Sequence, residues 1–131
     1  MRKVLITGAL LLPLAAYASP ALDTLFAEYS KAGAKDFSAE TGKAFFYQER
    51  QDKATGEMRA CTTCHHKDLT QEGKHASTGK VIKPLAPSAN PQRLTDLADI
   101  NKWLTRNCKW TVGRECTTQE KADILTFLKS Q

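Results

Sequence analysis

No methionine follows residue 58: the chain has 131 residues, and its two methionines are Met1 and Met58. A metal centre that takes a thioether sulfur from the C-terminal half is therefore excluded. No stretch beyond the first 18 residues is apolar enough to cross a bilayer. None alternates apolar and polar side chains as a half-buried strand does, which argues against a β-sandwich or barrel. Neither sign of charge is in great excess, with 19 Lys+Arg against 14 Asp+Glu and a formal net charge of +5. Losing Arg2 and Lys3 with a leader would lower that value by two, so nucleic acid binding has no support. The length suits one small domain and excludes a large multidomain enzyme.

What is present begins with that leader. Arg2 and Lys3 precede an apolar run from Val4 to Leu14, and Ala16-Tyr17-Ala18 has the small-x-small pattern of a signal-peptidase site. We expect residues 1–18 to be a secretory signal cleaved after Ala18, leaving residues 19–131 as one domain. Export places the four cysteines in an oxidising compartment, where a disulfide persists.

Four helices are expected. Leu22, Leu25, Phe26 and Tyr29 recur at helical spacing over residues 21–31, and Gly33 ends the run. Ser38 can cap a second helix to about Gln51 that buries Phe45 and Phe46, with Gly42 permitting close backbone approach. Residues 52–60 read as a loop. The stretch 70–93 holds Gly73, Gly79, Pro84, Pro87 and Pro91 and should lack regular structure. Thr95 can cap a third helix carrying Leu97, Ile100, Trp103 and Leu104 and ending near Asn107. Thr117 with Glu120 forms a capping box for the last helix, whose stripe is Ala122, Ile124, Leu125, Phe127 and Leu128. This is an all-α pattern with an oversized loop and few large apolar residues, so a bulky prosthetic group would complete the core.

Cys61-Thr62-Thr63-Cys64-His65 is the attachment motif of haem c. Two thiols separated by two residues can each add to one vinyl group, and the next residue, His65, is carried beneath the iron as the proximal ligand. Alternatives are a redox Cys-x-x-Cys, a plain disulfide, or a zinc site completed by Cys108 and Cys116. The redox reading lacks its βαβ context. His66 directly follows the ligand and reads as a loop residue. On the other face of the iron, with methionine excluded, His75, a lysine, an asparagine or no ligand remain. Cys108 and Cys116, eight residues apart, can close a small loop contributing about 2–3 kcal/mol. Asn107 stands at its rim, and from the residues alone the helix C-cap is the favoured reading of it.

The proline loop Gly79-Lys80-Val81-Ile82-Lys83-Pro84-Leu85-Ala86-Pro87-Ser88, together with Lys102-Trp103-Leu104-Thr105-Arg106-Asn107-Cys108 and Val112-Gly113-Arg114-Glu115-Cys116-Thr117, resembles the sphaeroides haem protein family. The similarity runs from about Ala21 to the C-terminus. It implies a class I cytochrome c-like helical fold around one covalently bound haem. It also implies that Asn107 coordinates ferric iron through its amide oxygen and leaves on reduction, opening the site to a diatomic gas such as oxygen, nitric oxide or carbon monoxide. The same resemblance implies a Cys108–Cys116 disulfide, packing of Gly42 and Phe46 on Ile124 and Phe127, and a dihaem cytochrome c as electron donor, itself fed by a membrane cytochrome b.

The expected function is thus a periplasmic gas-binding haem protein, with turnover as an oxygen or nitrogen-oxide oxidoreductase open. The alternative is an electron carrier whose iron keeps six ligands, for example through His75. A third reading, a zinc-stabilised export domain, would use all four cysteines. Lys80, Lys83, Lys102, Arg106, Lys109 and Arg114 are candidates to flank the haem edge or steer an acidic redox partner, and Trp103 and Trp110 to pack on the haem or core.

Overall fold

The computed structural model describes residues 19–131; the expected signal and its cleavage point at Ala18 lie outside them. Ser19 caps the first helix, α1 (Pro20–Lys31), accepting from the Leu22 amide at 3.3 Å, while its hydroxyl donates to the Leu94 carbonyl. Helix α2 (Ala39–Tyr47) starts at the expected cap, where Ser38 Oγ accepts from Thr41 N at 3.0 Å. It stops four residues short of Gln51. Arg50–Gln51 (β1) instead pairs antiparallel with Met58–Arg59 (β2). Between them Asp52 Oδ1 accepts from the amides of Ala54 and Thr55, and Gly56 takes a positive φ of 76°. That turn satisfies the backbone locally, so the loop expected over residues 52–60 is the return arm of a hairpin.

The attachment motif forms a 3-10 turn, Cys61–Thr63. A second short ladder, Gly73–Lys74 (β3) with Val81–Ile82 (β4), interrupts the stretch expected to lack regular structure. Two-residue strands are too short to leave an alternating pattern. Then come α3 (Leu97–Val112) and α4 (Thr118–Lys129). The cap of α3 is Asp96, not Thr95, with Asp96 Oδ1 accepting from Asp99 N at 2.7 Å. Its end is Gly113, at φ 78°, rather than Asn107. No glycine or proline intervenes after Asn107, and burial of Cys108 and Thr111 rewards continuing the helix. Asn107 is therefore an interior helical residue, and the C-cap reading is withdrawn.

The core is built where α2 crosses α4. A Cβ on Gly42 would lie 1.9 Å from the Asp123 carbonyl oxygen, so the backbones meet directly at that glycine. Phe46 packs on Phe127 with ring centroids 5.7 Å apart, and Leu22 and Leu25 of α1 are fully buried in the same cluster. Buried Asp123 accepts from the Ser38 amide at 2.8 Å and from Gln119 Nε2 at 3.1 Å, tying the start of α2 to α4. Among the described residues no helix is long and apolar enough to cross a membrane.

The capping box of α4 forms as expected: Thr117 Oγ1 accepts from Glu120 N, and Glu120 Oε2 accepts from Thr117 N at 2.7 Å. The Arg114 guanidinium grips the same carboxylate with two 2.8 Å bonds. Arg114 first, and then the Thr117 amide, hold Glu120 well below its ordinary 4.5, at about 2. A carboxyl depressed in the folded state contributes stability above its unfolded pKa and loses it as pH falls through the folded value. Thermal midpoints should therefore fall between about pH 4.5 and 2 in the native chain, and E120Q should lack that part of the decline.

Candidate haem attachment site

The motif is shaped by local hydrogen bonds. Thr63 N donates to Ala60 O at 3.0 Å, His65 N to Cys61 O at 3.0 Å, and Thr63 Oγ1 accepts from Ala60 N at 2.9 Å. This tight turn presents Cys61, Cys64 and His65 within one segment. Strand β3 then packs directly against it. Lys74 N donates to Cys64 O at 2.7 Å, and a Cβ on Gly73 would sit 2.2 Å from that oxygen, so only glycine fits there. Ala76 N approaches Cys64 Sγ at 3.3 Å.

The His65 ring packs against Phe46, centroids 6.1 Å apart, which links the motif to the α2–α4 crossing. Burial above all, and then the charge of Arg93, push the His65 pKa down to about 4. The imidazole is thus neutral at physiological pH, the form that binds a metal. Arg93 is itself held by Pro84 O at 2.9 Å and Lys83 O at 2.7 Å, which closes the proline loop against the proximal side. Cys61 and Cys64 are not bonded to each other. Burial pushes the Cys61 thiol up to about 11, the opposite of a reactive redox dithiol. No group of three His, Cys, Asp or Glu among the described residues could hold a metal ion, and Cys108 is joined to Cys116, their Cα atoms 5.6 Å apart. Two unbonded thiols followed by a neutral imidazole fit covalent haem c, whereas the redox and zinc readings each lack their chemistry.

Asn107 lies on α3 immediately before the disulfide. It is exposed, and its carboxamide makes no hydrogen bond to the described residues. Trp103, one turn earlier, is 47% exposed, and Leu104 and Trp110 are partly buried. His75 does other work: its Nδ1 accepts from Ser77 N and Thr78 N, both at 3.2 Å, at the tip of the β3–β4 hairpin. His66 likewise accepts from Asp68 N at 3.0 Å as a loop residue. Of the candidate cations, Lys109 pairs with Glu115 at 3.1 Å and Arg114 with Glu120 at 2.8 Å, while Lys102 and Arg106 lie over the Trp103 ring. Sequence reasoning passed over Arg59 and Arg93; an arginine two residues before the first motif cysteine was the only available signal for the former.

The chain matches a family described as a domain of unknown function, DUF1924, over residues 32–128. It is 45% identical to the cytochrome c-type protein SHP of Cereibacter sphaeroides, over the whole of both chains. It is also 34% identical to cytochrome c'' of Methylophilus methylotrophus, over 69% of this chain and 62% of that one. Among solved structures, oxidised SHP, an oxygen-binding cytochrome c, superposes with a TM-score of 0.75 at 43% identity, covering 87% of this chain and 100% of that one. Oxidised cytochrome c'' superposes with a TM-score of 0.69 at 30% identity, over 82% and 92% respectively.

Proposed function

Because the chain belongs to the sphaeroides haem protein family, with a class I cytochrome-like fold and covalently bound haem c, we propose that it is a periplasmic gas-binding cytochrome whose sixth ligand is the labile Asn107. The observation that carries this reading is Asn107 itself: an exposed carboxamide with no hydrogen bond to the described residues, on a helix pinned by the adjacent Cys108–Cys116 bond. Cys61 and Cys64 would hold the group through thioethers, and His65 would be its proximal ligand. Haem c supplies an iron that takes a diatomic gas when reduced.

The remaining steps belong to the chain. An amide oxygen is a hard, neutral, weak donor, so Asn107 would hold the oxidised metal and let go of the reduced one. Once released, its amide N–H would be available to donate a hydrogen bond to a bound gas. Phe46 would help to hold the His65 ring through their packing contact, and neutrality of that ring would keep it available as a donor. With Nδ1 of His75 accepting from two amides, its ring proton belongs on Nε2, the nitrogen that a metal would need, which supports Asn107 over a bis-His carrier. The expected electron donor is another cytochrome, a dihaem cytochrome c fed from a membrane cytochrome b. Export through residues 1–18 accords with a disulfide that persists only where thiols are oxidised.

Absorption spectra of the exported protein test the reading: oxidised, reduced without air, then mixed with carbon monoxide. High-spin reduced bands that shift at once with carbon monoxide are expected. Sharp low-spin reduced bands that ignore the gas would mean a permanent sixth ligand and an electron carrier.

A further inference from the structure

Arg59, two residues before Cys61, gathers three separate segments on one side chain that is 14% exposed. Its Nη1 donates to Asp52 Oδ2 at 2.8 Å and to the Trp110 carbonyl at 3.2 Å, and its Nη2 reaches Glu57 Oε2 at 3.2 Å. The guanidinium carbon lies 4.5 Å from the centroid of the Trp110 ring. Its buried Nε has no hydrogen-bond partner among the described residues. Asp52 belongs to the turn after β1, Arg59 to the strand entering the attachment motif, and Trp110 to the last turns of α3.

Three physical features separate this contact from a surface ion pair, which is worth little. Trp110 O is one of the last four carbonyls of α3, which have no partner within the helix, so the guanidinium satisfies an orphan acceptor. The positive charge also stands at the negative end of the helix dipole. Finally, donation to a carboxylate, donation to a carbonyl and stacking on indole use the planar fork of arginine, which lysine lacks. Trp110 lies three residues, about one helical turn, beyond Asn107. Cys108, between them, carries the disulfide. The tie at Trp110 is thus one helical turn from the asparagine, on the same disulfide-anchored segment.

We propose that Arg59 is a positioning residue that fixes the C-terminal half of α3 against the attachment motif and so sets how readily Asn107 gives up the sixth position. This rests on the assignment of Asn107 as ligand. The test uses the holoprotein carrying R59L, R59K, N107A, and R59L with N107A, and reads the ferric absorption bands and the rate at which ferric protein binds cyanide. R59L should move the ferric bands and change the cyanide rate about fivefold, with R59K shifting both in the same direction by less. In the N107A background the R59L effect on cyanide should vanish, since a residue acting through Asn107 has nothing left to act upon. An equal R59L effect in both backgrounds means a general loosening of the fold and overturns the proposal. If N107A changes the ferric protein while both R59L and R59K leave it untouched, this proposal alone fails. If N107A is itself silent, the ligand assignment falls and takes this one with it. Should R59L not fold, R59K with and without N107A makes the same comparison.

Discussion

Replacing Asn107 with alanine should leave haem attached, because Cys61, Cys64 and His65 are untouched, yet move the ferric absorption bands and open the oxidised protein to added anions. The magnitude follows from competition for one position. If the asparagine occupies it about 90–99% of the time, external ligands see a site that is free only about 1–10% of the time. Removing it should raise apparent ferric affinity for cyanide about 10- to 100-fold. Carbon monoxide binding to reduced N107A should change much less, because on the proposed reading the native asparagine would already have withdrawn. A ferric spectrum and cyanide affinity equal to those of the native protein would remove Asn107 from the coordination sphere. Alanine suits this test well. It is a better helix former than asparagine, and residue 107 is exposed and interior to α3, so the helix should survive.

The second large effect lies away from the iron, at Gly42. In an exposed helix, Gly→Ala gains up to about 1 kcal/mol from propensity alone. Here the added methyl would stand 1.9 Å from the Asp123 carbonyl oxygen and 2.9 Å from the Ile124 amide nitrogen, both of them backbone atoms that cannot rotate away. Relieving that overlap requires α2 to lift from α4, and overpacking of this kind costs about 3 kcal/mol. The clash outweighs propensity, so G42A should lower the chemical denaturation midpoint of the holoprotein. Because Phe46 sits one turn beyond Gly42 and touches both Phe127 and His65, the same shift should disturb the haem spectrum. An unchanged midpoint would mean that the two helices separate at almost no cost.

The helices that were easiest to read are those whose ends are written in adjacent residues. Ser38 and the Thr117–Glu120 box are local hydrogen-bonding devices, complete within four residues, and they form as expected. The residues themselves marked Gly42 as a place of close backbone approach, while its packing with Phe46 on Ile124 and Phe127 was legible only through the family resemblance. The C-terminus of α3 was not. Asn107 is a plausible terminator by residue type, but the helix runs on to Gly113 because Cys108 and Thr111 are buried there and Arg59 satisfies a late carbonyl. The end of α2 was misplaced for a related reason, as Arg50 and Gln51 found partners in Met58 and Arg59.

Covalent chemistry is short-ranged, so the order Cys61, Cys64, His65 is enough to propose an attachment point and a proximal ligand, and the lack of any later methionine is enough to exclude a thioether donor from the C-terminal half. Which donor replaces it is a matter of distance between segments far apart in the chain. The Arg59–Trp110 tie spans 51 residues, and no local pattern in either neighbourhood announces it. Burial of Cys108 and Thr111, the disulfide and the Arg59 tie decide where α3 stands relative to the motif, because those energies exist only once the segments have met.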